Sequence, residues 1–139
     1  MKKFSLILII VLLAIPALAL AKETNSVTSY SKAMSTRLTF GLNRNATLYN
    51  KLVEQSVKLT KDGKSLSEVN VKLAETKLII DRGQANLTLL STKSLNLTAT
   101  STPKENHKTI KQLVGEIIRD IRQSYVKIKE IKLLIKNIK

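Results

Sequence analysis

Cysteine and tryptophan are missing from the 139-residue sequence, histidine occurs once, and the aromatic residues amount to two Phe and three Tyr. Without thiols there is no disulfide framework, no thiolate metal site, no cysteine nucleophile and no lipid-modified cysteine. The lone imidazole, His107, supplies no cluster of metal ligands, and an exposed position on a helix needs no special role for it. Sparse aromatics leave Leu, Ile, Val and Ala to form a core, and they remove the stacking platforms on which single-stranded nucleic acid lies. Acids are the other shortage: 10 Asp and Glu stand against 24 Lys and Arg, a formal charge of +14.

Catalytic signatures are also missing. No Walker loop, dinucleotide fingerprint, zinc-ligand spacing, EF-hand loop or nucleophile elbow occurs. Glu116 and Asp120 are the only acidic pair at i, i+4, and with Arg119 and Arg122 beside them they read as a neutralised surface cluster, not as a general acid and base. The other carboxylates of the chain after its leader, Glu54, Asp62, Glu68, Glu75, Asp81, Glu105 and Glu130 among them, lie between bases at helix-surface spacings and are expected in surface ion pairs. No catalytic, cofactor-binding or metal-binding residue is nominated, and neither an enzyme nor a cofactor is expected. Asn45-Ala46-Thr47, Asn86-Leu87-Thr88 and Asn96-Leu97-Thr98 match the glycosylation acceptor pattern, but Asn45 and Asn86 fall within expected helices and no glycan is expected.

What is present begins with a leader. Lys2 and Lys3 precede an unbroken apolar run from Leu6 to Ile15, then Pro16 and the small-x-small sites Ala17-Leu18-Ala19 and Ala19-Leu20-Ala21. This is the layout of a signal peptide, with cleavage favoured after Ala21, and it places the product outside the cytoplasm, periplasmic or extracellular. The alternative is a retained anchor, since residues 4–21 approach the roughly 17–25 residues that a membrane span requires. Pro16 and the short apolar run speak for cleavage. The leader holds two of the bases and no acid, so the mature chain carries +12.

Three helices are expected after residues 22–30, which read as a disordered lead-in. The first, about 31–61, carries Leu38, Leu42, Tyr49, Leu52 and Leu59 at helical spacing, with Asn45 and Ser56 as polar breaks. Asp62-Gly63 closes it, and Ser65-Leu66-Ser67-Glu68 has the form of a capping box that opens the second, about 66–92. So short a connection makes the two antiparallel. The second seam is Leu66, Val69, Leu73, Ile80, Leu87, Leu90 and Leu97, interrupted by Gly83. A second capping box, Thr102-Pro103-Lys104-Glu105, opens the third helix, 103–138. There Val114, Ile121, Ile128 and Ile135 recur every seven residues beside Ile110, Ile117, Ser124, Ile131 and Ile138, and Leu113, Ile118, Tyr125 and Leu134 widen the stripe enough to face two neighbours. The fold class is therefore all-α: one domain, residues 31–139, forming an elongated antiparallel three-helix bundle, or a hairpin with a long, coiled-coil-like third helix.

The run Lys58-Leu59-Thr60-Lys61-Asp62-Gly63-Lys64-Ser65-Leu66-Ser67-Glu68, behind a signal peptide and before a Lys/Ile-rich helix, resembles small secreted Lys-rich helical proteins of reduced-genome bacteria. That resemblance implies an exported helical bundle and brings no catalytic residues. In size, charge and export the chain is also similar to Spy-like periplasmic chaperones, but none of Leu38-Thr39, Leu59-Thr60, Leu87-Thr88 or Leu97-Thr98 completes that family's Leu-Thr-x-x-Gln signature.

Partner chemistry comes from charge. Lys104, Lys108, Lys111, Arg119, Arg122, Lys127, Lys129, Lys132, Lys136 and Lys139 cover the third helix outside its seam and form a candidate anion-binding surface. In an exported protein the candidate partners are an anionic envelope polymer, lipid head groups or an acidic protein. Self-association along the third helix is a further expectation, whereas specific nucleic-acid binding is not expected. The function expected is non-enzymatic binding or self-association at the cell envelope. The alternative is a chaperone that binds unfolded clients.

Overall fold

Gly63 decides where the first helix stops. Its φ of +76° is the left-handed conformation that only glycine adopts without strain. The turn closes with the Lys64 amide on the Leu59 carbonyl at 3.0 Å and the Gly63 amide on the Thr60 carbonyl at 3.0 Å, the two bonds of a Schellman motif. The chain then turns back at once. In the computed structural model, which describes the backbone of residues 4–95 and 103–138 and the side chains of 27–94 and 104–138, α1 (Phe4–Lys61), α2 (Ser67–Leu95) and α3 (Pro103–Ile138) each pack on the other two. The fold is an all-α three-helix bundle. The side chains of the expected leader, Leu97 of the α2 seam and Thr102 of the second capping box lie outside the described residues. Among the described residues no helix is long and apolar enough to cross a membrane.

Side-chain contacts fix the directions. Leu42 meets Gly83 and Ser31 bonds Ser94, so α1 and α2 run antiparallel. Lys72 meets Glu130 and Asn86 meets Glu116, so α2 and α3 do too. Tyr30 with His107 and Arg44 with Tyr125 make α1 and α3 parallel.

Two apolar clusters fill the bundle. Near the α1–α2 turn, Leu52, Leu59, Leu66, Val69, Leu73, Ile128, Ile131 and Ile135 pack together; at the far end, Val27, Leu38, Leu42, Leu90, Ile110, Val114 and Ile117 do so. Between them lies a polar layer. Asn45 donates from Nδ2 to the Ile121 carbonyl and to Ser124 Oγ, both at 2.8 Å, and Ser124 donates to the Asp120 carbonyl at 2.8 Å. Asn45 is thus buried and bonded across helices, which leaves no room for a glycan there.

Three expectations need correction. Residues 22–30 are helical, not disordered: Val27 and Ser31 are buried, Val27 in the same cluster as Ile110. Packing against α3 thereby orders a stretch whose own sequence is too polar to announce a helix. The Ser65–Glu68 capping box does not form; Leu66 is drawn into the core, and its carbonyl accepts the first helical bond, from Asn70 at 2.9 Å. Finally, α2 reaches Leu95 and passes through Gly83 unbroken.

Gly83 is a point of close approach. A Cβ there would lie 2.7 Å from Leu42 Cδ2 and 3.4 Å from Asp120 Cβ, whereas one on Gly115 would meet nothing. Opposite signs are expected for the same substitution. Gly115→Ala should raise stability by about 1 kcal/mol through helix propensity alone. Gly83→Ala should lower it by about 1–2 kcal/mol, because Leu42 is packed at 1% exposure and overpacking outweighs that gain. Chemical denaturation of the two variants checks the pair.

Candidate functional site

Three acids of α3, Glu116, Asp120 and Glu130, meet α2. Lys72 Nζ reaches Glu130 at 3.0 Å, Lys127 Nζ reaches Glu75 at 2.5 Å, and Asn86 and Gln112 donate to the two oxygens of Glu116 at 3.4 and 3.2 Å. These hydrogen bonds, then the partner charges, hold the Lys72 ammonium above its ordinary range and the Glu75 carboxyl below its own. The stabilisation from Glu75 is therefore present above the unfolded carboxyl range and is lost as pH falls through its lowered value.

Asp120 anchors this ladder. Its side chain is fully buried, and Arg82 of α2 grips it through Nη2 to Oδ1 at 2.5 Å and Nε to both oxygens at 3.1 and 3.2 Å, while the guanidinium remains 54% exposed. That hydrogen bonding raises the Arg82 guanidinium further. The expected surface cluster of Glu116 and Asp120 with Arg119 and Arg122 is thus corrected. The heptad phase turns both acids toward α2, where Arg82 and Asn86 meet them.

The opposite flank of α3 is of one sign. At seven-residue spacing its α1-facing positions are 104, 111, 118, 125 and 132, bordered by 108, 115, 122, 129 and 136; they hold seven bases, Ile118, Tyr125 and Gly115, and no acid. The facing flank of α1 repeats Arg37, Arg44, Lys51 and Lys58, again at intervals of seven and without an acid. Arg44 lies 5.6 Å from the Tyr125 ring centre and Lys129 lies 4.6 Å from it, so the ring joins the two rows. Farther along, Gln55, Lys129, Lys132, Leu133, Ile135 and Lys136 line an open cleft of about 470 Å³ with a largely apolar floor. No base in these two rows forms an ion pair among the described residues. Glu54, the single acid among the described side chains of α1, is exposed and also forms none.

Of the nominated residues, Lys104, Lys108, Lys111, Arg122, Lys129, Lys132 and Lys136 are exposed and belong to this face. Arg119 is exposed on the outward row that Val126 and Leu133 continue at seven-residue intervals, at the edge of this face; Lys127 is engaged with Glu75 on the α2 side, and Lys139 lies outside the described residues. The α1 row was missed by sequence reading, although its seven-residue interval was there to be counted. His107 is exposed, its ring 6.2 Å from that of Tyr30. Among the described residues no three His, Asp or Glu side chains gather as metal ligands. No family model, curated protein or solved structure matches the chain.

Proposed function

We propose that this is an exported, non-enzymatic helical protein that acts at the cell envelope by binding anionic material through the α1/α3 face. One observation carries the reading: eleven bases and no acid occupy the facing flanks of α1 and α3, while Glu116, Asp120 and Glu130 of α3 are engaged by α2. Such a face attracts polyanions over a range set by the Debye length, about 8 Å at physiological salt. The α3 seam expected to serve self-association is covered by α1 and α2 of the same chain, which favours a monomer. Pull-down from the protein's own envelope fraction tests the proposal: retention at low salt and release at high salt are expected. No retention, or retention indifferent to salt, overturns it, and suppression of client aggregation by the purified protein would support the chaperone alternative instead.

A further inference from the structure

Exposed apolar side chains occur on all three helices, and what sets some of them apart is the charge beside them. On α1, Phe40 is 73% exposed and stands three residues after Arg37 and four before Arg44, so both cations are its neighbours one turn away. On α3, Leu133 is 61% exposed between Lys129 and Lys136, and Val126 is 54% exposed between Arg122 and Lys129, at the same spacings. Val71 and Leu78, on the outer side of α2, have no such pair of flanking bases. Phe40, Val126 and Leu133 thus stand at the edge of the basic face, on outward rows that also carry Glu54 and Glu105, and each tip is bracketed by bases whose stems are themselves apolar and whose charged ends can reach outward.

From this pattern we propose that the α1/α3 face docks flat on an anionic lipid bilayer, with its bases on the head groups and Phe40, Val126 and Leu133 entering the interface. The inference rests on the reading of this face as an anion binder and narrows that reading to one partner. A bilayer fits the geometry because it is a plane of negative charge with an apolar layer just beneath, whereas a soluble polymer gains nothing from an exposed Phe or Leu. Nucleic acid fits poorly, since Tyr125 is already engaged with Arg44 and Lys129 and offers no free ring for a base. From Lys104 to Lys136 the face extends about 48 Å at 1.5 Å per residue, long enough for many head groups at once.

The test uses the full chain and reads the ratio of its partition onto vesicles with one-third phosphatidylglycerol to that onto pure phosphatidylcholine vesicles. The leader, with Lys2 and Lys3, contributes alike to the parent and to every variant, so the change in this ratio between them reports the charged face. Lys129→Gln, Lys132→Gln and Lys136→Gln together should lower the ratio at least tenfold, because each base near such a surface contributes roughly a factor of five. The charge-matched triple Lys61→Gln, Lys64→Gln and Lys93→Gln should lower it far less. Phe40→Ser with Leu133→Ser should weaken binding to the anionic vesicles about tenfold while leaving binding to soluble long-chain polyphosphate unchanged. Equal losses in the two lysine triples, a ratio near one for the unaltered chain, or indifference to the Phe40 and Leu133 changes overturns the proposal. Salt-sensitive retention on the envelope fraction combined with any of these outcomes would discard the bilayer and leave the broader anion-binding reading standing.

Discussion

Ile131→Asp is expected to unfold the bundle at ambient temperature. Ile131 is fully buried in the cluster nearest the α1–α2 turn, between residues of α1 and α2. A carboxylate there has no base within the cluster to meet it, and burying an unpaired charge or protonating it costs several kcal/mol. A small domain holds about 5–15 kcal/mol in total, so the change removes much or all of the margin. The exposed neighbour supplies the control: Lys132→Asp changes charge by more but buries nothing, and should move stability by about 0.5 kcal/mol or less. Circular dichroism melts of the two variants separate them. A cooperative melt of Ile131→Asp close to that of the parent would mean that the α3 seam is not the core.

The second large effect lies in the polar layer. Arg82→Ala should destabilise by about 3 kcal/mol, at the low end of the range for breaking a buried pair because the guanidinium is half in water while Asp120 is wholly buried. Asp120→Leu alone should cost less, even though Asp120 is the more buried partner, since Arg82 can turn out to solvent and leaves no stranded charge behind. Combining the two should restore most of what Arg82→Ala loses, so the cycle should show a coupling of at least about 1 kcal/mol between residues in contact. Additive losses, measured by chemical denaturation, would contradict the grip of Arg82 on Asp120.

Much of the architecture could be read from period alone. The α3 stripe repeats every seven residues for its whole length, and Gly63 after Asp62 marks a turn that the backbone makes with two bonds. What could not be read depends on register between helices. Residues 22–30 hold one strong hydrophobe, Val27, whose burial requires Ile110 from a helix some eighty residues on. Asp120 looked like one of several surface acids because Arg82 lies 38 residues away and meets it only when α2 and α3 pair antiparallel in this register. For the same reason the sequence alone groups Lys127 with the other α3 bases and gives no ground for placing Arg44 beside them. Charge content was visible in the sequence; its separation onto two sides of α3 was not.

That separation lets a chain with 24 bases pack stably and still leave one side of a single charge sign. Cross-helix pairs on the α2 side relieve repulsion between α2 and α3, and the α1/α3 side keeps an unneutralised positive field, on which the proposed binding rests. A lysine-reactive footprint of the protein bound to its own envelope fraction, read by mass spectrometry, tests this most directly. Protection is predicted at Lys51, Lys58, Lys129, Lys132 and Lys136, with Lys61, Lys64, Lys77 and Lys93 as reactive as in the free protein. Protection shared evenly between the two groups, or concentrated on the second, would contradict it.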